Sequence, residues 1–263
     1  MGTDFRTIAV VPAFNEVSTI VDIVERTLRH ADEVIVVDDG SDDGTPEILD
    51  ALDVPVIRHA SNLGKGASLL DGFHAAVARG ASHVVTLDAD GQHRPEDIPA
   101  LVQSAFQNPG KIVIGSRMAD RASFPSARYQ ANQIANFWIS WASGYVIEDS
   151  QSGFRLYPSE FLRNFPARYR RRSGFALESE LLIDAARQGR HSVAVPVPAI
   201  YDSAHRPSYF RPVLDITRIV IMVAWKLISW GMYPMGLVRI LRERRRNRVI
   251  SDAAADTVAS KSG

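Results

Sequence analysis

Residues 84–93 read VVTLDADGQH, an apolar run that ends in two carboxylates one residue apart, Asp88 and Asp90. Side chains of an extended chain alternate between faces, so both carboxylates point the same way, and Gln92 joins them if the extension persists. Hard oxygens gathered on one side suit Mg²⁺ or Mn²⁺. Such ions are commonly held by one or two carboxylates, with water and substrate phosphates filling the other positions. The spacing therefore points to a divalent ion and a substrate that carries a diphosphate. Alone, D-x-D is a frequent chance pattern. Its weight comes from its place at the end of an apparent buried strand, just before RPEDIP (94–99).

Such a turn needs a frame. The first half of the chain alternates short β-branched runs (7–13, 32–41, 54–60, 82–90 and 111–117) with amphipathic stretches of about a dozen residues (17–31, 65–80 and 94–108). Thr45-Pro46 opens one further helix, with Thr45 as its expected cap. This alternation predicts an α/β fold with a mostly parallel sheet, and continuous apolar strands predict helices on both of its faces. Ligands of such sheets bind outside the carboxyl ends of the strands. Here those ends carry Pro12 to Glu16, Asp38 to Ser41, Ser61 to Gly66, Asp88 to Gln92 and Gly115 to Arg117. Asx turns and helix caps explain any one of them; five on one rim point to a site.

Composition sets the outer limits. Among 263 residues, 30 basic side chains balance 30 acidic ones, so no overall field argues for nucleic acid. The absence of cysteine excludes disulfides, thiolate metal sites and a cysteine nucleophile. The first residues read as a strand rather than a signal peptide, which sets a cytoplasmic expectation. Later come helices over 129–144 and 176–189 and a strand over 191–202. Residues 219–238 are nearly all apolar, and RILRERRRNR (239–248) follows with six arginines. About 20 apolar residues reach across a bilayer. Lys226 near the centre, Gly231 and Pro234 argue against a straight spanning helix. The expectation is an interfacial helix, with Trp225, Trp230 and Tyr233 at the lipid boundary and the arginines on anionic headgroups. The alternatives are a spanning helix, a core helix, and a self-association surface that would make the protein a homo-oligomer.

The segments VVPAFNE, VVDDGSDDGT, SNLGKGASLLDGF, TLDADGQHRPEDIP, GSR and DSQSGFR occur in the order seen in family 2 glycosyltransferases of the GT-A fold. Within that family, residues 6–225 resemble the polyprenol-phosphate (dolichol-phosphate) mannosyl- and glucosyltransferases. The resemblance implies a nucleotide-sugar site at Pro12, Phe14, Glu16, Asp38, Asp39, Lys65, Asp88, Ala89 and Asp90. It implies Mg²⁺ or Mn²⁺ at Asp88, Asp90 and Gln92, and an acceptor-phosphate site around Arg117. Arg128, Asn132, His205 and Arg206, with Ser208 nearby, are the further candidates on the acceptor side. Lys65 and Arg128 also read as solvated helix starts, and 200–218 as a plain connection.

Asp149 matches the position of a catalytic base in relatives that act on hydroxyl acceptors. A phosphate acceptor is largely ionised near neutral pH and needs cations instead of a base. The catalytic set on this reading is Asp88, Asp90, Arg117 and Asp149. Glu178 is left open between facing the sugar and lying on a helix surface; Glu180 reads as the latter. The expected organisation is a GT-A catalytic domain over 1–212, a membrane-associating helical segment with a basic tail over 213–248, and a disordered tail over 249–263. The expected activity is inverting transfer of glucose or mannose from a UDP- or GDP-sugar to a polyprenyl phosphate, by a peripheral enzyme on the cytoplasmic membrane face. The rivals are a family 2 enzyme with a soluble or glycan hydroxyl acceptor, a noncatalytic nucleotide-binding or membrane-scaffold protein on the same fold, and, more weakly, a nucleotidyltransferase.

Overall fold

The computed structural model describes residues 5–121, 126–163, 176–200 and 212–259. Its centre is a seven-stranded sheet: β1 (Thr7–Ala13), β2 (Glu33–Asp38), β3 (Val56–Arg58), β4 (His83–Thr86), β5 (Ile112–Ser116), β6 (Arg155–Pro158) and β7 (Ser192–Pro196). The order across the sheet is β3-β2-β1-β4-β6-β5-β7. Every neighbouring pair is parallel except the two that β6 makes with β4 and β5. The expected mostly parallel α/β sheet is present. The reversed strand was not foreseen, and it matters: because β6 runs backwards, its first residues fall on the same rim as the last residues of the others.

Both faces are covered, which is why the strands read as unbroken apolar runs. Ile8 and Val10 of β1 enter one core with Leu69, Phe73, Leu181 and Val223. Ala9 and Val11 enter the other with Ile20, Val24, Leu49 and Leu101. The first core lies under α3 (Lys65–Ala78), α5 (Ser126–Ser143), the short α6 (Ser159–Arg163), α7 (Ala176–Arg187) and α8 (Pro212–Ser229). The second lies under α1 (Ile20–Leu28), α2 (Thr45–Ala51) and α4 (Ile98–Gln107).

Two local expectations are corrected. Strand β4 stops at Thr86 rather than Asp90: Asp88 and Asp90 sit on a turn closed by Gly91 at φ +75°, with Asp90 Oδ1 accepting the Gln92 amide at 3.0 Å. The Thr45 hydroxyl does not cap α2; it accepts the Glu16 amide at 2.9 Å and ties two strand ends together.

The C-terminal region is a bent pair, α8 followed by α9 (Pro234–Ala259), with the axes turned by 116° between Ile219–Ser229 and Pro234–Arg246. Gly231, Met232 and Tyr233 take positive φ at the elbow. No single helix among the described residues is long and apolar enough to cross a membrane. Residues 249–259, expected as a disordered tail, continue α9 as helix. Ala253 to Ala255 supply the best intrinsic helix formers there.

Helix α8 is apolar on both sides: Ile219, Met222, Val223 and Leu227 are buried in the first core, with Lys226 among them. Lys226 points into the protein and pairs with Asp184 and, at 3.3 Å, with Glu180, both on α7. Arg187 stacks over Trp230 at 3.6 Å and Tyr233 at 4.3 Å. Val220, Ile221, Trp225 and Ile228 face outward, 56–67% exposed. The lysine that argued against an apolar span is neutralised inside the protein. Glu180, read as a polar surface position, is buried as its partner.

Candidate active site

The carboxyl rim carries a cavity of about 700 Å³. Its polar wall comes from the strand ends: Lys65, Asp88, Asp90, Gln92, Arg117 and, from α5, Asn132. Its apolar wall comes from α5 and α8, with Ile134, Trp138, Ile219, Val223, Leu227 and Ile228. The D-x-D pair, its glutamine and two candidate phosphate-binding residues therefore meet in one chamber. Gln151 and Gly153 complete it, delivered by the reversed β6.

Charges there are arranged in pairs. The Lys65 ammonium lies 2.6 Å from Asp88 Oδ1. Burial opposes both charges, but the neighbours together outweigh it: Asp88, Glu178 and Asp90 hold Lys65 above the usual lysine range, and Lys65, His93 and Arg117 hold Asp88 below the usual carboxylate range. Among the described residues no cation pairs directly with Asp90: burial, then repulsion from Asp88, push its carboxyl up to about 6. Arg117 is clamped by Asp149, which accepts from the Arg117 amide at 3.1 Å, from Nε at 3.2 Å and from Nη2 at 3.3 Å. Asp149 is completely buried.

Three residues carry weight here that the sequence did not single out. His93 is buried, stacks on Phe154 at 5.4 Å and lies 3.8 Å from Asp88; burial pushes its pKa down to about 4, so it is neutral near pH 7. Arg155 is fully buried and donates to the carbonyls of Ser150 (2.8 Å), Ser152 (2.7 Å) and Glu178 (2.6 Å), fixing the loop that carries Asp149 and Gly153. Asn136 of α5 accepts from the Ser150 amide and hydroxyl. An arginine inside the apolar run FRLY was the available signal for Arg155. The other two show no pattern without the fold.

The remaining candidates divide. Pro12, Phe14, Glu16, Asp38 and Asp39 stand on the adjoining ends of β1 and β2, outside this cavity. Asp39 is nearly buried and accepts from the Leu63 and Gly64 amides at 2.9 and 2.7 Å, with His59 Nδ1 at 2.6 Å. Asp38 accepts the Ser41 amide at 3.0 Å. These buried carboxylates hold the rim loops in shape. Ala89 is buried in the turn. Arg128 falls within α5, but its side chain, like His205, Arg206 and Ser208, lies outside the described residues.

A divalent ion fits the donor set. Asp88, Asp90 and Gln92 offer hard oxygens on one turn at the cavity wall. Among the described residues no group of three His, Cys, Asp or Glu side chains gathers to hold an ion alone. Such an ion would complete its coordination with substrate and water oxygens.

A sheet of this order, with an acidic turn at its carboxyl rim, has the GT-A arrangement. Residues 8–174 match the family described as Glycosyl transferase family 2, and the chain belongs to that family. It is similar to the UDP-N-acetylglucosamine–dolichyl-phosphate N-acetylglucosaminyltransferase of Methanococcus voltae, 32% identical over 213 residues that cover 73% of this chain and 84% of that one. It is 32% identical over 203 residues to the polyprenol monophosphomannose synthase of Mycolicibacterium smegmatis, covering 73% and 76%. Its fold resembles glucosyl-3-phosphoglycerate synthase of Mycobacterium tuberculosis, solved with Mn²⁺, UDP-glucose and phosphoglyceric acid. That match has a TM-score of 0.61 and 22% identity, and covers 86% and 79% of the two chains.

Proposed function

We propose that this protein transfers a hexose from a UDP- or GDP-linked donor to a polyprenyl phosphate with inversion, using Mg²⁺ or Mn²⁺. We propose that it does so peripherally at the cytoplasmic face of a membrane. The observation that carries this reading is the single chamber whose polar wall suits phosphates and whose apolar wall suits an isoprenoid chain. A phosphate oxygen of the acceptor attacks the anomeric carbon as the bond from that carbon to the diphosphate breaks. The nucleoside diphosphate leaves, and the product is a sugar joined to the lipid phosphate. A divalent ion held by Asp88, Asp90 and Gln92 would offset charge growing on the leaving diphosphate. Arg117, oriented by Asp149, binds the acceptor phosphate; its planar fork suits those oxygens.

A hydroxyl acceptor would need Asp149 as a base within reach of the acceptor proton. Its complete burial against Arg117 favours the phosphate acceptor. The exposed apolar face of α8 and the exposed Arg239, Arg242, Arg245 and Arg246 of α9 support attachment to an anionic lipid surface.

The test incubates the protein with Mn²⁺, a polyprenyl phosphate and, in turn, UDP-glucose, UDP-N-acetylglucosamine and GDP-mannose, with phosphoglyceric acid as a competing acceptor class. Lipid-linked sugar from one donor is the expected product, lost in Asp90→Ala. Transfer to phosphoglyceric acid alone, or to neither, refutes the lipid acceptor.

A further inference from the structure

Lys65 has a second carboxylate beside it. Besides Asp88 at 2.6 Å, its ammonium lies 3.3 Å from Glu178 Oε2, on α7. The other oxygen of Glu178, Oε1, is buried and has no hydrogen-bond partner. A Cβ at Gly153 would lie 2.8 Å from Lys65 Nζ, 2.9 Å from Asp88 Oδ2 and 3.2 Å from Glu178 Oε1. Glycine at 153 thus preserves open space between one carboxylate on the D-x-D turn and a second one behind it. The ammonium, carried on the first residue of α3, bridges both carboxylates and lies nearer Asp88.

We propose that Lys65 is an exchangeable counter-cation of the D-x-D turn. In the free protein it neutralises Asp88 and opposes binding of a divalent ion by itself. When ion and nucleoside diphosphate arrive together, the ammonium withdraws toward Glu178 and the diphosphate. The proposal rests on reading this rim as the donor site. The physical cause is repulsion between two cations sharing one carboxylate in a partly buried place, relieved by the negative charge of the diphosphate. Ion and nucleotide must then bind with positive coupling, and that coupling is reciprocal.

The test is calorimetric titration of the full chain with Mn²⁺, alone and with saturating UDP or GDP, for three proteins whose circular dichroism and melting are compared first. In the unsubstituted protein one nucleotide should tighten Mn²⁺ by about tenfold or more. In Lys65→Met, Mn²⁺ alone should bind about tenfold tighter, and the coupling should shrink to about twofold or less. Glu178→Gln confines the lysine to Asp88 and should shift Mn²⁺ alone in the opposite direction, to weaker binding. Mn²⁺ binding to Lys65→Met that is no tighter than to the unsubstituted protein, undiminished coupling in that variant, or tighter Mn²⁺ binding in Glu178→Gln overturns the proposal. No acceptor is present, so a failed sugar-transfer assay beside the expected Mn²⁺ shifts would sink the acceptor reading and leave this one standing.

Discussion

Asp149 gives both of its oxygens to Arg117 and none of its surface to solvent. A residue so placed positions its neighbour rather than exchanging protons with a substrate. Asp149→Asn keeps the shape and removes the charge. Loss of one partner from a buried pair should cost about 3 kcal/mol or more of unfolding free energy. In kinetics, the acceptor KM should rise by about tenfold or more while the nucleotide Kd holds, since charge-assisted contacts to phosphate depend on the aim of Arg117. A collapse of kcat at unchanged acceptor KM would instead identify a base. At this scale the sequence was informative where chemistry needs a residue type at a spacing: Asp88, Asp90, Gln92 and Arg117 do share one cavity. It left Glu178 open between the sugar and a helix surface and was silent on His93 and Arg155. Their importance comes from burial and from partners as far as 113 positions away, and no local pattern encodes either.

Among the elements, strands were legible because two covered faces force continuous apolar runs, and helices because one covered face forces a period near four. The direction of β6 was not legible. A four-residue strand buried on both faces carries no mark of which way its neighbours run. The facing of α8 was likewise hidden. Hydropathy gave its length and content, but only the positions of Glu180 and Asp184 on α7 explain why Lys226 points inward among Val223 and Leu227, leaving a second apolar side outward. That outward side yields a direct prediction. Ile221 and Trp225 are 62% and 67% exposed, so replacing both by Ser should leave the melting temperature unchanged. Each buried apolar side chain contributes roughly 1.5–3 kcal/mol to transfer out of water. Sedimentation with anionic vesicles should therefore fall by about a hundredfold or more. Unchanged sedimentation would show that this face is not the one that meets lipid.

For the molecule as a whole, stability should depend on pH through histidines kept neutral by burial. His83 stacks on Phe5 at 4.0 Å, far from the acidic turn, and burial lowers its pKa from 6.5 to about 4. Its folded pKa is depressed, so the unfolded chain takes up the proton first. The stability it contributes is present above pH 6.5 and is lost as pH falls from 6.5 to about 4. Urea unfolding across that window should show a declining free energy, and His83→Phe, which keeps a ring against Phe5, should flatten the decline. An equal slope in both proteins would assign the effect to other groups. The larger plan, a two-faced sheet with one functional rim, could be read from the alternation of elements; the elbow between α8 and α9 could not, since Gly231 and Pro234 mark a break but not its angle. That arrangement has a kinetic consequence. Helix α8 lines the cavity with Ile219, Val223 and Leu227 and also with Val220 and Ile228, which are themselves 56% and 64% exposed, so the chamber opens toward whatever covers that exposed side. If that cover is a bilayer, the two reactants search in different dimensions. The nucleotide sugar arrives through bulk volume, the lipid by sliding within a plane, and turnover follows the surface density of the lipid rather than its amount per litre.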